Sequence, residues 1–144
     1  MCVALARQIA RDGEGATRLV ELRVTGAKTE AQAHRVGDAI ACSPLVKTAV
    51  HGNDPNWGRV LAAAGCSGEA IEPERVRLWF GDRRRAAAPR SWPSAPFERR
   101  HAAALLAEDP AVLHLDLGLG DASAVLWTCD LSAEYVRVNA EYTT

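Results

Sequence analysis

The chain has 144 residues, 48% apolar and 24% charged, with 17 basic against 18 acidic side chains and a formal net charge of −1. That length suits one domain with its own core, so residues 1–144 read as a single domain, and the near-neutral balance provides no overall field toward nucleic acid or an acidic membrane. Cys2, Cys42, Cys66 and Cys129 form no C-x-x-C pair, no apolar run reaches transmembrane length, and Arg7 and Arg11 interrupt the opening where a signal peptide needs apolar residues, so a reducing, cytoplasmic setting is expected.

Residues 2–11, CVALARQIAR, have apolar residues at helical spacing and end at Asp12-Gly13, a stop signal. The helix has no cap or lead-in strand, so a longer architecture is expected to precede it. Residues 17–27, TRLVELRVTGA, alternate. Leu19, Glu21, Arg23 and Thr25 share one face and Val20, Leu22 and Val24 the other, the pattern of a strand with one buried face. Thr29 then caps a helix to about Cys42, with Ala33, Val36, Ile40 and Ala41 on its apolar side.

Residues 43–59, SPLVKTAVHGNDPNWGR, carry two helix starts. Ser43-Pro44 is a cap followed by proline at the first helical position, and Asp54-Pro55 repeats the signal. The stretch therefore reads as two short helices joined by a tight H-G-N-D turn, the second closing at Gly65. Residues 75–81 read as a strand, 82–100 as an irregular arginine- and proline-rich segment, and 97–108 as a helix ended by Asp109-Pro110. Residues 111–119 and 122–130 alternate around Gly120-Asp121, a hairpin signal. YVRVN at 135–139 reads as a last strand. Interleaved helices and strands with a close hairpin predict the α/β (α+β) class: a mixed sheet with packed helices.

Several chemistries fail on spacing. His34, His51, His101 and His114 lack metal-ligand spacing. G-L-G-D-A-S at 118–123 follows a strand, but no helix opens after it to receive a phosphate. Arg83, Arg84, Arg85, Arg90, Arg99 and Arg100 beside Trp92 and Phe97 form the one basic and aromatic cluster, which the neutral whole-chain charge favours as a solvated loop. Removal of Met1 would expose Cys2 as an N-terminal nucleophile, but Cys2 leads straight into a helix. In DGEGAT at 12–17 two glycines let the backbone approach a ligand, and Glu14 between them reads equally as a carboxylate for a ligand ammonium or as an exposed acid in a turn.

Four blocks, DGEGATR at 12–18, SPLVKTAVHGNDPNWGR at 43–59, DLGLGDASAVLWTCDLS at 116–132 and YVRVNAEYTT at 135–144, resemble the C-terminal part of the ornithine acetyltransferase family, also called glutamate N-acetyltransferase. They stand in the family's order, at similar spacing, and span nearly the whole chain. The resemblance implies a layered α/β sandwich. It implies transfer of acetyl from N-acetylornithine to glutamate in arginine biosynthesis, with relatives in the clavulanic acid pathway. It implies no cofactor, acetyl-CoA serving as donor in some members. It also implies a precursor that cuts itself before a threonine, which becomes the N-terminal nucleophile of the second subunit and carries the acetyl group.

Residue by residue, Glu14 matches the family's substrate-binding glutamate, and Asn139 and Thr144 of NAEYTT match its terminal substrate ligands. A carboxylate, an amide and a hydroxyl suit ornithine's charged groups, because charge-assisted hydrogen bonds are the strong ones. The family's nucleophile lies in a K-G-x-G-M…A-T-M-L type segment that these 144 residues do not contain, and without the nucleophile there is no covalent route. The chain is thus expected to hold substrate-binding residues and no catalytic one. Its expected partners are the upstream nucleophile-bearing portion, in a hetero- or homo-oligomer, and a small amino-acid substrate, with no nucleic acid and no membrane. Alone, it should expose apolar surface. The alternative is an inactive truncated paralogue that binds an amino acid or a partner subunit.

Overall fold

In a computed structural model, residues 2–82 and 99–141 are described. The elements run α1 (Cys2–Arg11), β1 (Leu19–Ala27), α2 (Glu30–Ala41), α3 (Pro44–His51), α4 (Trp57–Gly65), β2 (Arg77–Phe80), α5 (Arg99–Leu106), β3 (Ala111–Asp116), β4 (Ala122–Cys129) and α6 (Ala133–Glu141). The four strands form one mixed sheet in the order β2-β3-β1-β4, so the expected α/β class with a mixed sheet holds. β1 runs parallel to β3 and antiparallel to β4, and β2 closes the far edge antiparallel to β3.

One sheet face presents Val20, Leu22, Val24, Leu113 and Leu115 to Val36 and Ile40 of α2, Val46 and Val50 of α3 and Val60 of α4. α5 seals the β2–β3 side with Ala102, Leu105 and Leu106. β1 is interior rather than half-exposed. It has a neighbour on each side, and Leu19 and Glu21 of its opposite face are buried too. There Glu21 takes a hydrogen bond from Trp127 Nε1 (3.1 Å) and one from Arg23 Nε (2.8 Å), which satisfy a carboxylate that burial would otherwise penalise.

The expected hairpin does not form. β3 and β4 flank β1 instead of pairing with each other, and the 117–121 connection crosses the end of β1. Leu117 N donates to Thr25 O, and Leu119 and Gly120 N donate to Gly26 O. A Cβ at Gly120 would lie 2.6 Å from Ala27 O, so glycine there is required by the close backbone crossing. The turn chemistry was legible, but the strand inserted between the two arms comes from about a hundred residues upstream.

YVRVN is also not a strand; it lies within α6. Ser132 caps the helix by accepting from Tyr135 N, and Arg137 pairs with Glu134 and Glu141 at i−3 and i+4. These helix-specific contacts outweigh a short valine alternation. The α4 cap is Asn56, accepting from Arg59 N, two residues past the expected Asp54. Ser43 and Thr29 cap α3 and α2 as expected. At α2 Thr29 Oγ1 accepts from Gln32 N, while Gln32 Oε1 reaches back past the cap to accept from Lys28 N. Thr29→Ala should therefore lower stability by about 1 kcal/mol, measured by urea unfolding, with the chain still folded.

α1 packs against β4 and β1 but contributes no buried residue, and Val3, Leu5 and Ile9 are exposed, as are Leu45 and Val136. Among the described residues, no helix is long and apolar enough to cross a membrane.

Candidate functional site

The DGEGATR turn joins α1 to β1 and is held from the opposite end of the chain. Gly15 takes a left-handed backbone (φ +66°), which glycine tolerates and side chains resist. This lets the turn press against the start of α6. Ser132 Oγ donates to Gly15 O and accepts from Tyr135 N, so one hydroxyl ties the turn to the helix. Glu14 sits on the turn's exposed side, and Asn139, one turn along α6 from Tyr135, donates from Nδ2 to Glu14 Oε2 at 2.8 Å. The same Nδ2 also donates to Tyr135 O (2.9 Å), which fixes the amide. Two of the three residues expected to bind substrate thus meet across 125 positions of sequence. Thr144, the third, lies outside the described residues.

Beneath the turn is Asp130, a buried acid that sequence reasoning did not single out. Its Oδ1 accepts from the backbone N–H of Thr17 (2.8 Å) and of Arg18 (3.0 Å). Its Oδ2 accepts from Thr17 Oγ1 (2.5 Å) and lies 2.7 Å from His51 Nδ1. Burial alone would push this carboxyl up. The hydrogen bonds from the Thr17 hydroxyl, His51 and the two backbone amides outweigh it and hold the group below the usual carboxylate range.

A threonine, a histidine and an aspartate in contact invite a nucleophile reading, and the connectivity argues against it. In acyl-transfer triads the base sits between the hydroxyl and the acid. Here the acid sits in the middle, so the Thr17 hydroxyl gives its hydrogen bond to a carboxylate already satisfied by others, and the imidazole spends Nδ1 on the same oxygen. The cluster is a clamp. Arg18 extends it, donating from one guanidinium nitrogen to Val50 O, Asn53 Oδ1 and Leu106 O. The H-G-N-D corner of the 43–59 block therefore supports the DGEGATR turn through His51 and Asn53.

Beside the clamp opens a cleft of about 350 Å³, lined among others by Glu14, Lys47, Cys129, Asp130, Leu131 and Tyr135. That volume suits a small metabolite. Cys2 is exposed on α1 and is not among the lining residues. Most of the arginine-rich cluster falls outside the described residues; Arg99, which is described, pairs with Asp54 at 3.1 Å. No local signal marked Asp130 or Lys47, because their roles arise from contacts with segments far away in sequence; Ser132 carries a local helix-cap signal, three residues before Tyr135.

The family model described as ArgJ family matches residues 1–144. The chain is 49% identical over 140 residues to the arginine biosynthesis bifunctional protein ArgJ of Parasynechococcus marenigrum (strain WH8102), covering 97% of this chain and 34% of that protein. It is 50% identical over 144 residues to the glutamate N-acetyltransferase of Methanosarcina acetivorans, covering 97% and 36%. The crystal structure of arginine biosynthesis bifunctional protein ArgJ from Bacillus halodurans superposes with a TM-score of 0.87 at 42% identity, over 98% of this chain and 65% of that one. The chain spans about a third of the length of the curated relatives it matches.

Proposed function

The chain belongs to the ArgJ family, and on that premise we propose that it is the substrate-binding C-terminal portion of an N-acetyltransferase that moves acetyl from N-acetylornithine to glutamate in arginine biosynthesis. The observation that carries this reading is the Glu14–Asn139 contact, with Glu14 in the lining of the cleft. A carboxylate with one oxygen fixed by an amide keeps its other oxygen for an incoming ammonium. The Asp130 clamp and the Ser132 bridge hold that carboxylate in place before the ligand arrives, which reduces the ordering cost of binding. Thr144 completes the proposed set. The acetyl-accepting threonine belongs to the upstream portion, so the 144-residue polypeptide supplies binding and orientation while its partner supplies the nucleophile.

The test combines this chain with the nucleophile-bearing portion and measures transfer from N-acetylornithine to glutamate. Glu14→Gln should raise KM roughly tenfold to a hundredfold, the loss of one charge-assisted hydrogen bond, with the melting temperature unchanged. Unchanged kinetics with lost stability would make Glu14 a structural acid and end the assignment. The 144-residue polypeptide by itself should show no turnover; turnover abolished by Cys2→Ala would instead place the nucleophile at Cys2.

A further inference from the structure

We propose that Lys47 reads the carboxylate of the amino-acid substrate, as the cationic wall of the cleft whose anionic wall is Glu14. The inference rests on the substrate-binding reading of Glu14 and adds the group that recognises the substrate's other charge.

Lys47 is the one cation among the described residues that line the cleft. Its position is set from both sides. Its backbone carbonyl accepts from Leu131 N at 3.3 Å, which ties this turn of α3 to the 130–132 clamp segment. It also lines the small apolar cavity formed with Val20, Leu22, Ile40 and Val50. A half-buried lysine that lines both an apolar cavity and the cleft is placed to snorkel, burying its stem and turning its ammonium toward the cleft. The ammonium has no hydrogen-bond or ion-pair partner among the described residues. Asp130, an acid in the same lining, already has four donors from Thr17, Arg18 and His51. Glu14 is engaged by Asn139. The cleft therefore presents an ammonium and a carboxylate that do not neutralise each other.

Such a pair is complementary to a small molecule with both charges. N2-acetylornithine has an α-carboxylate and a side-chain ammonium; Glu14 takes the ammonium and Lys47 the carboxylate. A purely cationic acetyl amine would satisfy Glu14 and leave Lys47 without its partner, so the pair selects amino acids over simple amines. Lysine acts here as a point charge on a flexible stem, so arginine should substitute in part.

The experiment is an NMR titration of the 144-residue chain with N2-acetylornithine and, separately, with its carboxamide, which keeps the ammonium and lacks the anionic end. The wild-type chain should bind the acid on the order of tenfold more tightly than the amide, with shifts at Gly13, Leu131 and Tyr135. Lys47→Met, which keeps the stem, should reduce acid affinity to the amide's level and leave amide affinity unchanged. Lys47→Arg should recover part of the preference. A Lys47→Met chain that still prefers the acid by about tenfold would overturn the proposal. So would equal binding of acid and amide by the wild-type chain, and in that case the reading of Glu14 would survive. Glu14→Gln supplies the separate check: if it leaves both affinities intact, the substrate-binding reading fails whatever Lys47 does. No shift with either ligand overturns both.

Discussion

Asp130→Asn is expected to destabilise the fold by about 2–3 kcal/mol at neutral pH, the range for losing hydrogen bonds to a buried charged acceptor, and Asp130→Ala by more. The carboxylate is fully buried and gathers four donors from Thr17, Arg18 and His51. Asparagine keeps one oxygen for the two backbone amides but turns an NH₂ group toward the Thr17 hydroxyl and the imidazole. Alanine leaves all four donors without the acceptor. The same substitution should loosen the turn that carries Glu14, so substrate affinity falls together with stability, unlike Glu14→Gln, where only affinity falls.

The pH dependence has a definite sign. The native carboxyl titrates below its unfolded value, so its contribution is complete above the ordinary carboxylate range, near pH ~4, and is lost as pH falls through the depressed native value. The stability gap between the wild-type chain and the Asp130→Asn variant, from urea melts, should narrow as the pH falls below about pH 4. A gap that fails to narrow there would contradict the assignment of Asp130 as a charged clamp.

Gly15→Ala should be the most damaging single-methyl change near the site. The backbone there is left-handed at φ +66°, and the added Cβ would fall 2.5 Å from Tyr135 N and 2.8 Å from Tyr135 Cα. Both are backbone atoms at the start of α6, so no side-chain rotation relieves the clash. The conformational penalty alone is about 1 kcal/mol. The larger effect is displacement of α6 from the turn, which breaks the Ser132 bridge and separates Asn139 from Glu14. We expect a Tm drop of several degrees and loss of detectable N-acetylornithine binding. Gly65→Ala is the control. It sits at the end of α4 with nothing within 4 Å of the new Cβ, and should be neutral or slightly stabilising. Equal damage at both positions would mean that Gly15 is not special.

Local chemistry was legible in the residues themselves. The caps at Thr29 and Ser43, the Pro44 start, the stop at Asp12-Gly13 and the alternation of 19–25 are short-range effects, and each appears where the sequence placed it. The DGEGAT glycines marked a place where backbone comes close to something. The tertiary structure supplied that something, the amide of Tyr135. Pairing was not legible. The arms around Gly120-Asp121 carry hairpin chemistry, yet β1 lies between them, because strand alternation specifies which face is buried and not which neighbour supplies the hydrogen bonds. YVRVN failed for a related reason. Its alternation is too short to outweigh the Ser132 cap and the Arg137 pairs, and Ser132 is in addition tied to Gly15 across the chain. The contacts that build the site, Glu14 with Asn139 and Thr17 with Asp130, join segments 125 and 113 residues apart. Sequence periodicity reports only on near neighbours, so the acid that clamps the turn and the lysine beside it became visible only when the sheet brought the two ends of the chain together.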